Sequence, residues 1–235
     1  MRRVMDVVLN TITILLLLVA VWSLARPGAP VRSTVAQWWR RERQPALIRT
    51  LWPELTPTGA RLDSGLGPVR LVEFADFQCP YCAQDSKEIT KFLASHPDVG
   101  VVYRHLPLPI HSAAQGAARA GVCAERQGAF QRLQAYFFET NAWVADTDWM
   151  KAARIARIPD VRQFRLCLNS VATAARLRLD RSLAESLGVR VTPTFVSERQ
   201  VAPGMQSDSA LESLLGLTPG HGRQGPHGLK ASQRP

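Results

Sequence analysis

Metal-ligand chemistry is nearly missing from this sequence. Its 235 residues include only five histidines and four cysteines, and His96, His105 and His111 show no HxxxH spacing. The pair Cys79 and Cys82 is half of a zinc site, but zinc normally takes a second pair or histidines at ligand spacing. The other cysteines, Cys123 and Cys167, are single and far apart. No metal is expected. Nucleotide-binding glycine motifs and internal repeats are also lacking, which removes nucleotide cofactors and repeat architectures. Acidic residues are scarce, 19 against 29 basic, for a net charge of +10. That excess sits at the ends of the chain. Residues 1–50 carry eight Arg against Asp6 and Glu42, and 216–235 carry Arg223, Lys230 and Arg234 without an acid. The middle is close to neutral, so it offers no phosphate-binding surface, and nucleic acid is not an expected partner.

What is present begins with an apolar run. Val7–Leu24 carries no charge and follows Arg2 and Arg3. Its 18 residues would span roughly 27 Å as a helix, enough to cross a bilayer. Ser23-Leu-Ala25 would also serve as a signal-peptidase site. The run exceeds a signal-peptide core, so residues 1–25 are read as a retained transmembrane anchor, or an uncleaved signal. Arg26, Arg32, Arg40, Arg41 and Arg43 follow the span and, by the positive-inside rule alone, would hold the domain in the cytosol. A short basic N-terminus leading a long domain argues instead for export, and export is the expectation.

Residues 26–60 read as a basic stalk interrupted by Pro27, Pro30, Pro45, Pro53 and Pro57, with Ser33 able to cap a short helix carrying Trp38 and Trp39. The folded domain is expected over 61–215. Val69–Phe74 and Val99–Leu106 have strand character, with a helix over Ser86–Ser95 between them. Ser112–Thr140, Asp148–Ile158, Val161–Leu168 and Ala172–Leu187 read as helices of an insertion over about 111–187. Arg190–Val196 and Gln200–Val201 read as strands, and Ser207–Leu215 as a last helix. The tail, 216–235, has no core-building composition and is expected to be disordered. The order β-α-β, helical block, β-β-α describes an α/β thioredoxin fold with a helical insertion. A right-handed crossover makes the first two long strands parallel.

The chemistry is concentrated in Leu71-Val-Glu-Phe-Ala-Asp-Phe-Gln-Cys79-Pro-Tyr-Cys82. A strand stops at two cysteines, and a helix follows. The first sulfur then lies at a helix N-terminus, where unpaired N–H groups and the dipole favour a thiolate, the only form that attacks a disulfide. Cys79, nearer the helix end, is the expected nucleophile and Cys82 the resolving thiol. Pro80 and Tyr81 partly set their potential and are also expected substrate contacts. Glu73 lies six residues before Cys79 inside an apolar strand, where a carboxylate is costly unless it works or is paired. Asp76 reads as a turn residue, and His105 and His111 as loop or packing residues. The even count of four cysteines suits a second bridge between Cys123 and Cys167, though two buried reduced thiols fit the spacing as well.

These landmarks resemble the DsbA-like thiol–disulfide oxidoreductases, in the branch of membrane-anchored bacterial members. The resemblance covers about residues 62–215. It rests on the Cys79–Cys82 phrase, Arg104-His-Leu-Pro-Leu108 with His111, Cys123 through Gln127-Gly-Ala-Phe130, Phe164-Arg-Leu-Cys-Leu168, and Gly188-Val-Arg-Val-Thr-Pro-Thr-Phe195. It implies a cis Thr192–Pro193 peptide beside the dithiol, with Thr192 facing the sulfurs and the loop receiving an extended substrate. It also implies that Glu73 relays the proton of Cys82, the alternative being a structural ion pair, and it favours the Cys123–Cys167 bridge. No cofactor beyond the dithiol is implied. The expected partners are substrate proteins with thiols or disulfides and an unnamed membrane redox protein, at the extracytoplasmic side of a bacterial inner membrane. Net oxidation of substrate thiols is the leading reading. A reductase or isomerase, and a non-catalytic binding module using the groove at Pro193, remain open.

Overall fold

The computed structural model describes residues 2–25, 43–63 and 67–218. The chain divides into two units, Met1–Ala46 and Leu47–Pro235. In the first, Arg2–Ala25 forms one α-helix of 24 residues (α1). Its side chains are described for Met5 and 8–23, with Leu9, Leu16 and Val21 among the exposed ones. Among the described residues no helix is long and apolar enough to cross a membrane. The span expected over Val7–Leu24 therefore passes to the proposals below. Ser33, Trp38, Trp39 and the tail from 219 onward lie outside the described residues.

The second unit is built on one sheet. Its strands are β1 (Ala60–Arg61), β2 (Val69–Ala75), β3 (Gly100–His105), β4 (Thr194–Val196) and β5 (Val201–Pro203), in spatial order β1-β3-β2-β4-β5. β2 is central, parallel to β3 and antiparallel to β4, with Glu73 opposite Tyr103 on one side and Phe195 on the other. Side chains on β2 alternate between faces. Val72 and Phe74 pack with Ile48, Leu183 and Val196. Leu71 packs against Ile89 and Phe92 on the opposite face, and Ala75 joins Cys79 and Cys82 there. Glu73, between Leu71 and Ala75, shares that second face.

The first correction concerns the stalk. Gln44–Leu55 is a helix (α2), with Pro45 in its first turn, where a missing N–H costs nothing, and Pro53 further along. Ile48 and Leu55 are fully buried, and Leu51 and Trp52 pack on the same cluster. Arg104 of β3 donates from Nε to the Leu55 carbonyl at 3.1 Å and from Nη2 to the Glu54 carbonyl at 2.6 Å. A cation at the last carbonyls of a helix satisfies groups that have no intrahelical partner. From Leu47 onward this stretch belongs to the folded unit. Reading its prolines as breakers hid the apolar spacing of Ile48, Leu51, Trp52 and Leu55.

The helix after the dithiol, α3, runs Pro80–Ser95. Between β3 and β4 lie α4 (Ala114–Glu125), α5 (Phe130–Glu139), α6 (Ala142–Asp146), α7 (Trp149–Ile155), α8 (Val161–Leu168) and α9 (Val171–Ser186), and α10 (Asp208–Leu215) follows β5. The single helix expected over Ser112–Thr140 is broken where Gly128 takes φ 64°. Asp148, Asp160, Ser170 and Ser207 cap α7, α8, α9 and α10 with side-chain oxygens. α4 approaches the sheet closely because it is made of small residues. A Cβ at Gly121 would lie 2.4 Å from His105 Cε1 and 2.8 Å from Phe77 Cε2. The helical block is tied to the sheet by Asp180 of α9, which accepts from Arg104 Nη1 at 2.7 Å, Arg176 Nε at 3.0 Å and the His105 amide at 3.1 Å.

Candidate active site

β2 delivers the chain to a tight turn at its carboxyl end. The Asp76 carboxylate accepts from the Gln78 amide at 2.8 Å, and the Cys79 amide donates to the Asp76 carbonyl at 3.1 Å. The other Asp76 oxygen accepts from the Leu108 amide at 2.8 Å and lies 2.7 Å from His111 Nδ1. Gln78 Oε1 accepts from the Ala113 amide at 2.8 Å. Asp76 is thus the turn residue read from sequence, and with Gln78 it also clamps the 108–113 loop beside the dithiol. His105 is a packing residue: burial pushes its pKa down to about 3, so the ring stays neutral among Phe77, Tyr103 and Phe130.

Cys79 occupies the N-cap of α3 in extended conformation, with Pro80 in the first helical turn. Both active-site cysteines are free thiols. The Cys79 pKa falls to about 5, chiefly through a hydrogen bond from Cys82, with the Thr192 side chain and the Cys82 and Tyr81 backbone adding to it against the cost of burial. Cys82 moves the opposite way. It is fully buried, and burial, its bond to Cys79 and the Glu73 charge push its pKa far up. One sulfur is a stabilised thiolate at neutral pH, and the other keeps its proton.

The second wall comes from far along the chain. Thr192–Pro193 is a cis peptide, and Cys79 Sγ lies 3.4 Å from the Thr192 carbonyl oxygen across 113 residues of sequence, a contact in which the sulfur donates only while it is protonated. The Thr192 hydroxyl is buried without a hydrogen-bond partner among the described residues, so it is available to the Cys79 thiolate. The Pro193 carbonyl accepts from the Gly204 amide at 2.8 Å, which holds the loop against the start of the β5–α10 connection. Around the thiol the surface is apolar and open: Pro80 is exposed, Tyr81 is 62% exposed, and Ile110 and Val191 on the flanking loops are exposed as well.

Beneath the dithiol lie two acids. Glu73 is 1% exposed on the face of β2 that α3 covers, and burial first, then the Asp85 charge, raises its pKa well above the carboxylate range. Asp85 is equally buried, and its pKa rises to about 7, first from burial and then from Glu88. The Gln206 amide approaches Asp85 and moderates that rise without closing a well-formed hydrogen bond. Neither Asp85 oxygen, nor the buried Tyr103 hydroxyl, has a hydrogen-bond partner among the described residues. The sequence reading missed Asp85. Its signal was the spacing of three residues from Cys82, which puts both on one helix face.

Cys123 of α4 and Cys167 of α8 form a disulfide, 2.03 Å between sulfurs and 5.8 Å between Cα atoms. Thr173 Oγ1 lies 3.3 Å from Cys167 Sγ. The bridge belongs to the apolar cluster that also holds Cys79 and Cys82, and it fastens the insertion beside the site.

Comparison with known proteins agrees with this geometry. The family described as Thioredoxin matches residues 65–216, more than half of the chain. A thioredoxin-like oxidoreductase from Silicibacter pomeroyi is 28% identical, covers 68% of this chain and 91% of its own, and superposes with a TM-score of 0.62. DsbA2 of Pseudomonas aeruginosa is 25% identical over 66% of this chain and 91% of its own, with a TM-score of 0.50. Among curated proteins, the Na(+)/H(+) antiporter NhaA 3 of Salinispora tropica is 32% identical over 177 residues, 72% of this chain and 27% of the antiporter. The chain spans about a quarter of the length of such curated relatives. It belongs to the thioredoxin family, as a DsbA-like member.

Proposed function

We propose that this thioredoxin-family chain is an extracytoplasmic thiol–disulfide oxidoreductase that oxidises the thiols of substrate proteins through Cys79–Cys82. The observation that carries the reading is the split between the two sulfurs: Cys79 is held as a thiolate with its pKa near 5, while Cys82 is buried as a thiol. Stabilising the thiolate stabilises the reduced form, which makes the disulfide a better oxidant. A substrate thiolate attacks Cys79 Sγ; the Cys79–Cys82 bond breaks, and its electron pair leaves on Cys82, which takes a proton. A second substrate thiolate then attacks the mixed disulfide. The substrate disulfide forms and Cys79 leaves as the thiolate that its surroundings favour. The exposed Tyr81, Ile110 and Val191 suit unfolded, apolar segments as substrates. Glu73, beneath Cys82, is the proposed proton partner of the buried thiol.

The chain is further proposed to be a single-pass protein of the bacterial inner membrane, its domain outside the cytoplasm. In support, α1 is continuous and Val7–Leu24 carries no charge, and the Cys123–Cys167 bridge suits an oxidising compartment. A membrane redox protein would then restore the disulfide. Equilibration of the purified chain with glutathione buffers tests the direction of flow. A potential near about −120 mV supports an oxidant, whereas one near about −270 mV means a reductase and overturns it.

A further inference from the structure

We propose that Asp85 is the proton port of this site, supplying through Glu73 the proton that Cys82 takes up and returning it when Cys82 ionises. The inference rests on the thiol–disulfide chemistry above and adds a residue to it. Cys82 is fully buried, so its proton has no direct path to water, and Glu73 beneath it is buried as well. A carboxyl relay needs a further acceptor. Asp85 lies one helical turn beyond Cys82 on α3, and side chains so placed are neighbours, with Cβ atoms about 5–6 Å apart.

Asp85 is not a structural ion pair. Both its oxygens are buried without a hydrogen-bond partner among the described residues, as is the hydroxyl of Tyr103, the cross-strand neighbour of Glu73. A permanently ionised carboxylate in that setting is too costly, whereas one that exchanges a proton is not. The titratable groups acting on the pair are Cys82 and Glu88 on α3 and Tyr103 on β3. The Asp85 end meets the backbone of Gln206, a partly exposed residue between β5 and α10, which places it on the solvent side of Glu73.

When a substrate thiolate opens the Cys79–Cys82 bond, the electron pair leaves on Cys82. The Glu73 carboxylic acid protonates that sulfur, the Glu73 carboxylate takes the proton of Asp85, and water reprotonates Asp85. In the reverse direction the same transfers remove the proton of Cys82. Asp85 acts through Glu73 and is a positioning residue for the proton.

The test uses the full chain with glutathione attached to Cys79 as a mixed disulfide. Release of glutathione, driven by Cys82, is timed from pH 5 to 9 by stopped flow. The wild-type rate is expected to show an inflection near pH 7. Asp85→Asn should lose that inflection and slow the release by about tenfold to a hundredfold at neutral pH. Asp85→Glu should restore both, and in the reduced, glutathione-free form of every variant Cys79 should still titrate near 5. An Asp85→Asn protein that is folded and keeps the wild-type rate and inflection overturns the proposal. Should that variant not fold, infrared spectroscopy of the wild type decides. A protonated-carboxyl band at pH 6 that fades across neutrality is expected, and its absence refutes the pair. Failure of Cys79 to accept glutathione at all would instead refute the oxidoreductase reading on which the port depends.

Discussion

Replacing Cys82 by alanine removes the strongest single cause of Cys79 acidity. In the wild type a pKa near 5 leaves about 99% of Cys79 ionised at pH 7, whereas an ordinary thiol near 8.5 is only a few per cent ionised. The largest contribution to that shift is the hydrogen bond from the Cys82 side chain. Hydrogen bonds to charged groups are worth about 1.5–3 kcal/mol, and one pH unit corresponds to about 1.4 kcal/mol. Cys82→Ala should therefore move Cys79 up by about one to two units, to between about 6 and 7. Cys82→Ser keeps a hydroxyl donor and should stay within about one unit of the wild type. Alkylation by iodoacetamide reads this directly. The wild-type rate should be flat above pH 6, because Cys82 is buried and protonated, while the alanine variant should still be climbing between pH 5 and 7. A wild-type midpoint near 9 would refute the assignment of Cys79 as the activated nucleophile. An alanine variant that stays at 5 would refute the hydrogen bond as the cause. The same depression has a stability sign. Its contribution to the reduced protein is full above the ordinary thiol range and is lost progressively as the pH falls to about 5.

Two further outcomes follow from charges that the fold buries. Between pH 6 and 8, reduction of Cys79–Cys82 should take up one proton for two electrons, so the potential should fall by about 30 mV per pH unit in redox-buffer titrations. A slope of about 59 mV would mean that both sulfurs are protonated and would contradict the split. Asp180→Ala would strand the fully buried Arg104 guanidinium, which Asp180 contacts at 2.7 Å, and should cost about 3–5 kcal/mol in urea unfolding. A loss under about 1 kcal/mol would show that Arg104 finds compensation in the α2 carbonyls alone.

Much of the fold was legible because the signals that define it are local. The apolar run over Val69–Phe74 gives a buried strand, and the helix read over Ser86–Ser95 extends back to Pro80. The parallel β2–β3 pair follows from the handedness of the crossover. Prolines were the main source of error. Pro45 and Pro53 read as breakers where one sits harmlessly in a first turn and the other is tolerated inside α2. Gly128 divides a helix that an alanine-rich run made continuous on paper.

The sequence by itself determined the reactive group: two cysteines across a strand–helix junction, a carboxylate six residues upstream, and a folded middle close to neutral. Those are properties of neighbouring residues, and backbone geometry alone places Cys79 at a helix N-terminus. Tertiary structure decided how the group behaves. The Thr192 carbonyl meets Cys79 from 113 residues away, Asp85 and Glu73 become one buried pair only when α3 lies on β2, and α2 joins the core through Arg104. Ionisation depends on desolvation and on which charges share a low-dielectric interior, and neither quantity exists until the chain has packed.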